Sequence, residues 1–195
     1  MALPSILDAA HRCAGEGLTG GDLAIDATVG NGHDTLFLLR QVGASGRVLG
    51  VDIQADALSA TRARVHDADA ALLDRLRLVH DGHEALKEHV DPADAGRVGA
   101  VMFNLGYLPG GDHRITTRPQ TTVPALHAAF DLLRPEGGVL TVVVYPGHEG
   151  GAEEAAAVGE WAAGLPQAHG RAFWYQFANA SGAPPRLLAV EKRAP

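Results

Sequence analysis

The chain has a single cysteine, Cys13, among 195 residues. No internal disulfide can form, and such sparing use of cysteine fits a reducing compartment, the cytoplasm. No apolar run is long enough for a membrane. The longest, Val139 to Tyr145, is seven residues with a Thr inside it, against ~20 for a spanning helix. The start, MALPSILDAAHRC, lacks a basic stretch ahead of an apolar block, so no secretory signal peptide is expected. Positive charge is not in excess: the net charge is −7. That speaks against broad, unspecific nucleic-acid binding and leaves room for a local basic patch. There is no repeat of solenoid length, no low-complexity tail, and neither HExxH nor CxxC. The ten histidines, His80 and His83 among them, are scattered rather than spaced as ligands, so no metal site is expected.

What is present describes a folded chain. Apolar residues make up 46% and charged residues 20%, close to soluble globular averages. The length suits one domain over residues 1–195, and such a chain buries roughly 70% of its unfolded surface without a staple.

Strand and helix patterns alternate along it. Ser5 to Ala14 reads as a helix and Leu23 to Asp26 as a short strand ending in a carboxylate. A glycine turn leads into a helix over His33 to Val42. Arg47 to Asp52 is a second strand, again ending in Asp, followed by helical Ala55 to Val65 and a further piece over Ala68 to Leu73. Leu76 to His80 is a third strand and Glu84 to Val90 a helix. Val98 to Phe103 is a fourth strand, then an irregular stretch runs from Asn104 to Thr117. A helix entered at Pro119 or Pro124 reaches about Arg134. Gly138 to Tyr145 is a β-branched fifth strand, and Glu149 to Gly164 is helical. Ala172 to Phe177 and Arg186 to Glu191 form a closing hairpin. The expected fold is therefore α/β: a doubly wound, mostly parallel seven-stranded sheet with an antiparallel C-terminal hairpin. Ligands of such a sheet sit beyond the carboxyl ends of its strands.

The first of those ends carries Asp26-Ala-Thr-Val-Gly30-Asn31-Gly32-His-Asp34 between a strand and a helix. Asp52 ends the next strand, twenty residues after Gly32, where a carboxylate can hold both hydroxyls of an adenosine ribose. A tight turn with a capping Asp is the plainer alternative. A dinucleotide site wants a third glycine at residue 35, and this chain has Thr35. Asp26 would also be unfavourable beside a phosphate and would suit the ammonium of a methionine group. S-adenosylmethionine thus fits better than NAD. Asp81-Gly82-His83 after the third strand would border the adenine, or serve only as a strand-to-helix cap.

The fourth strand ends in Phe103-Asn104-Leu105-Gly106-Tyr107, followed by Leu108-Pro109-Gly110-Gly111-Asp112. Asn104 to Tyr107 resembles the Asn/Asp-Pro-Pro-Tyr tetrapeptide of amino-group methyltransferases. An amine must keep its lone pair aimed at the methyl carbon. An Asn oxygen and the next backbone carbonyl can accept its two N–H bonds, and the Tyr ring can stack on a base. The acceleration would come mostly from positioning. The alternative is a loop cap at Asn104 and a half-buried ring at Tyr107.

DATVGNGHDTLFL, GVDIQ, FNLGYLPGGD, ITT and VVYPGHEGG, taken together, resemble the YtqB/MnmM family of class I S-adenosylmethionine-dependent methyltransferases, formerly grouped as rRNA methylases. The resemblance extends from about residue 22 to residue 192. It implies methylation of the amine of 5-aminomethyl-2-thiouridine at the tRNA wobble position, with S-adenosylmethionine as donor. It implies a cofactor site of Asp26, Gly30, Asn31, Gly32, Asp34, Asp52, Gln54, Asp81, Gly82, His83 and Asn104. On the acceptor side it implies Asn104, Leu105, Gly106 and Tyr107, with Gly110, Gly111, Asp112 and His113 beside them. Tyr145, Pro146, Gly147 and His148 would line the same cleft. His148 would relay a proton from the amine, or only order its loop. Thr116, Thr117 and Arg118 would touch the anticodon backbone, or form a solvated helix entry. Contact with tRNA would rest on local basics such as Arg114 and Arg118 and on loop amides. A homodimer fits the size class. The rival readings are an N-methyltransferase acting on rRNA or a small molecule, an oxidoreductase disfavoured by Thr35, and a noncatalytic cofactor-binding protein.

Overall fold

The computed structural model describes residues 3–194. Its seven strands are β1 (Leu23–Asp26), β2 (Arg47–Asp52), β3 (Leu76–His80), β4 (Val98–Asn104), β5 (Val139–Val144), β6 (Gly170–Tyr175) and β7 (Arg186–Lys192). They form one sheet in the order β3-β2-β1-β4-β5-β7-β6. β7 runs antiparallel to both β5 and β6, and the other pairings are parallel. The reversal of strand order falls at β1, between β2 and β4, which is where such sheets bind ligands.

The helices are α1 (Ile6–Glu16), α2 (His33–Gln41), α3 (Ala55–Ala68), α4 (Pro119–Leu132) and α5 (Gly151–Ala163). Successive strand residues point to opposite faces, and the core divides accordingly. Ile25, Val101, Phe103, Leu140 and Val142 pack with Leu126 of α4 and Trp161 of α5. Ala24, Ala100, Met102 and Val143 pack on the other face with Ile6 of α1, Leu38 of α2 and Val65 of α3. Burying a side chain such as Phe103, 1% exposed, contributes about 1.5–3 kcal/mol.

Local chemistry sets the ends of these elements. Ser5 caps α1 reciprocally: its hydroxyl accepts the Asp8 N–H at 3.1 Å, and Asp8 accepts the Ser5 N–H at 3.3 Å. α4 starts at Pro119, the first of the two prolines anticipated, and Pro124 lies inside it. Several boundaries differ from the sequence reading by a residue or two, and three differences go further. The segment His83–His89 is a 3-10 helix rather than an α-helix. α3 continues to Ala68, and the piece after it, Ala70–Arg75, is also 3-10. β6 begins at Gly170 and ends at Tyr175 because its register with β7 runs from Gly170↔Lys192 to Tyr175↔Leu187, leaving Phe177 in the loop. Asn104 is itself the last residue of β4, paired with Val143, so an amide rides on a rigid strand end. Among the described residues no helix is long and apolar enough to cross a membrane, and no group of three or more His, Cys, Asp or Glu could hold a metal ion.

Candidate active site

A cleft of about 920 Å³ opens at the carboxyl ends of β1, β2, β4 and β5, within the size range of small-molecule sites. Its floor is the turn between β1 and α2. Gly32 has φ 78°, and a Cβ there would lie 2.6 Å from the Thr61 hydroxyl, so only glycine lets α3 approach. Thr61 donates to the Gly30 carbonyl at 3.1 Å and Arg64 Nε to the Asn31 carbonyl at 2.5 Å. The turn is thus pinned from behind by α3, with Gly30 and Asn31 facing the cleft.

Asp52 ends β2 and lines the cleft beside Ile53 and Gln54. Its carboxylate accepts the Gly30 N–H and the Gln54 N–H, both at 2.9 Å. Two backbone donors fix its orientation and leave lone pairs for hydroxyl donors. This is the acceptor a ribose diol needs.

The second carboxylate, Asp26, stands differently from expectation. It is fully buried, outside the cleft lining, and its oxygens accept from the Thr35 hydroxyl at 2.6 Å and the Thr28 N–H at 3.3 Å. Burial, with the nearby charge of Asp34 added, raises its carboxyl to about pKa 7. It supports the turn from beneath instead of meeting an ammonium directly. The physical reason is Thr35, whose hydroxyl turns that carboxylate inward. Gly32 likewise lies below the lining. Asp34 lines the cleft, 8% exposed.

Of the turn after β3, only His83 reaches the cleft, with Glu84 next to it. Asp81 faces the other way. His89 Nε2 meets it at 2.7 Å and the Gly82 N–H donates to it at 2.8 Å. The His89 hydrogen bond, then that of Gly82, holds its carboxyl below the ordinary range. His83 is buried edge-on to Phe103, and burial pushes its imidazole below the usual value.

The acceptor side is built on β4 and the loop behind it. The Asn104 N–H donates to the Thr28 hydroxyl at 2.7 Å. Its side-chain Nδ2 donates to Asp34, while its Oδ1 has no partner among the described residues. Thr117 closes the loop: its hydroxyl accepts the Gly106 N–H at 2.7 Å and its own N–H donates to the Gly106 carbonyl at 3.0 Å. Between these ends Tyr107 pairs with Thr116 as an isolated antiparallel bridge. The loop folds back over the glycine turn, where Asn31 Nδ2 donates to the Pro109 carbonyl at 3.3 Å. Tyr107 stacks on His113 at 3.9 Å between ring centres and meets His148 edge-on at 5.7 Å.

Leu105, Gly106, Tyr107, Thr116, Thr117 and Arg118 line the cleft. Gly110, Gly111, Asp112 and His113 do not. They form the outer turn of the loop, and the Asp112 carboxylate is held by Arg114 at 2.7 Å. That bond lowers the Asp112 pKa and occupies the guanidinium expected to contact RNA, leaving Arg118 at the mouth without such a partner among the described residues. Tyr145, Gly147 and His148 line the cleft beyond β5, and Pro146 does not. Burial, then the charge of Asp34, raises the Tyr145 phenol. His148 Nδ1 lies 2.9 Å from the Glu149 carbonyl, so it carries the hydrogen. Its Nε2 has no partner among the described residues and would sit 3.3 Å from a Cβ placed on Gly106.

Two groups escaped the sequence reading. α1 contributes Ser5, Leu7, Asp8 and His11 to the lining, and His11 Nε2 bonds Asp34 at 2.7 Å. The bond joins residues 23 apart on two helices, so no spacing within α1 signals it. Glu154 of α5 is 2% exposed and accepts from the Thr117 and Thr122 hydroxyls at 2.7 and 2.6 Å. Nothing in an alanine-rich helix marks that glutamate as buried.

The profile of a family described as "Putative rRNA methylase" matches residues 48–191. Over 152 residues the chain is 44% identical to the chloroplastic tRNA (mnm(5)s(2)U34)-methyltransferase of Arabidopsis thaliana. The match covers 75% of this chain and 54% of that protein, so the chain spans about half the length of that curated relative. A Clostridium thermocellum protein described as a "putative rRNA-methylase" superposes with TM-score 0.92 at 41% identity, covering 98% of this chain and 100% of that one. SMU.1697c of Streptococcus mutans, described as a "putative methyltransferase" and crystallised in complex with SAH, superposes with TM-score 0.85 at 31% identity, covering 98% and 99%.

Proposed function

The chain belongs to this rRNA-methylase family, and from that premise we propose that it methylates the amine of 5-aminomethyl-2-thiouridine at the tRNA wobble position, acting as a single domain with S-adenosylmethionine as donor. The observation that carries the reading is Asn104: a strand-end amide lining the cleft, its Nδ2 taken by Asp34 and its Oδ1 unpartnered among the described residues. That oxygen is buried as well as unpartnered, a cost that an N–H donated by a bound substrate would relieve. The Arabidopsis relative is named for this nucleoside, and the Streptococcus relative was crystallised with SAH.

S-adenosylmethionine supplies an electrophilic methyl: the amine lone pair forms the N–C bond while the C–S bond breaks, and its electron pair stays on sulfur. In this reading Asp52 accepts the ribose hydroxyls, and Gly30, Asn31, Asp34, Gln54 and His83 complete the cofactor wall. Asn104 Oδ1 and the Leu105 carbonyl accept the amine hydrogens and aim its lone pair. His148 Nε2, buried without a partner among the described residues, takes the proton the nitrogen sheds. Tyr107 offers a ring to the base, and Arg118 the charge nearest the mouth. The lone Cys13 fits action in the cytoplasm, and pairing of two copies is read by equilibrium sedimentation.

Mass spectrometry of wobble nucleosides from a deletion strain tests the assignment. Accumulated 5-aminomethyl-2-thiouridine supports it, and an unchanged profile contradicts it. The family description favours rRNA as the second reading. Methyl transfer to bulk tRNA and to rRNA, both from the deletion strain, separates the two.

A further inference from the structure

We propose that Asp34 and His11 are positioning residues that decide which end of the Asn104 amide is left free. The inference rests on the amine-methylation reading above. An amide has two ends of nearly equal shape, one donating and one accepting. An amine site needs the accepting end, and Asn104 alone does not choose it.

Asp34 makes the choice. An ionised carboxylate only accepts, so it can face only Nδ2, and Asn104 Nδ2 donates to it. The other Asp34 oxygen lies 2.7 Å from His11 Nε2. Bonded to a carboxylate, that nitrogen carries hydrogen. The His11 ring stacks flat on Phe37, 4.0 Å between centres and 1° between planes. Asp34 and Phe37 are three apart on α2 and share a face, so one helix presents both the carboxylate and the ring that hold His11. The backbone pivot of Asn104 is fixed by Thr28. A chain of contacts thus runs from α1 through His11 and Asp34 to the amide. It gives α1 a part in selecting an acceptor that bears N–H.

Three variants and one spectroscopic signal test this. Asp34→Asn has the same shape but can present either end to Asn104. Single-turnover methyl transfer, read at saturating S-adenosylmethionine so that any loss of cofactor affinity is separated out, should fall about tenfold to a hundredfold. His11→Gln keeps a donor toward Asp34 and should stay near the wild-type rate. His11→Phe removes the donor and should slow transfer severalfold. In the absence of any substrate, the Asn104 Nδ2 proton facing Asp34 should be shifted downfield and protected from exchange in the wild type, and should lose that shift and protection in Asp34→Asn. A role in folding alone predicts that both His11 variants fall together, in step with melting temperature, and that outcome overturns the proposal. So does a wild-type rate in Asp34→Asn. If the wild type is inert toward the wobble amine while the amide signal depends on Asp34, the positioning role stands and the wobble-uridine reading falls.

Discussion

Thr117 donates its hydroxyl hydrogen to the buried carboxylate of Glu154 at 2.7 Å. The same hydroxyl accepts the Gly106 N–H, so the acceptor loop is tied to α5 through one oxygen. Glu154→Ala leaves the Thr117 and Thr122 hydroxyls without their acceptor, at about 1–3 kcal/mol for each group left unsatisfied. The variant should melt earlier, and the 106–117 loop should become sensitive to limited proteolysis. Glu154→Gln should fall between it and the wild type, since one oxygen still accepts. Equal protease resistance in all three would show that Glu154 does not hold this loop.

Asp52→Ala removes the carboxylate fixed by the Gly30 and Gln54 N–H groups. Hydrogen bonds to a charged acceptor are worth about 1.5–3 kcal/mol, so SAH should bind at least about tenfold more weakly by calorimetry. Unchanged affinity would move the ribose elsewhere in the cleft.

Asp26 makes stability depend on pH in an unusual direction. Burial beside Asp34 raises its carboxyl from the ordinary 3.8 to about 7. Between about pH 4 and 7 the folded chain keeps a proton that the unfolded chain has lost, so this group's contribution falls as pH rises through that window. At about 1.4 kcal/mol per pKa unit the effect is of order a few kcal/mol. Asp26→Asn cannot ionise. Its stability relative to wild type should therefore climb from pH 4 to pH 7 in denaturant titrations. A difference that stays flat across the window would mean that Asp26 is ionised in the fold.

The strands were legible because their signals are local. Leu23–Asp26, Arg47–Asp52 and Leu76–His80 are apolar runs closed by polar residues, and their bounds match the sequence pattern. Asp52 and Asn104 were legible as site residues because a polar group at the end of an apolar strand has few structural uses. The orientation of Asp26 was not legible. It depends on Thr35, nine residues on, placing a hydroxyl under the sheet. His11 was hidden for a related reason: its partner Asp34 lies across a helix-to-helix contact that no spacing rule predicts. The outward turn of Asp81 goes with its bond to His89, the last residue of the 3-10 segment His83–His89.

The central claim is that Asn104 accepts a hydrogen from the amine to be methylated, and single-turnover transfer by Asn104→Ala tests it most directly. The variant keeps the glycine turn and Asp52, so SAH affinity should stay near that of the wild type. It loses the acceptor that aims the lone pair, and the rate of transfer to 5-aminomethyl-2-thiouridine tRNA should fall about a hundredfold. Transfer at the wild-type rate by a folded Asn104→Ala protein would contradict the account.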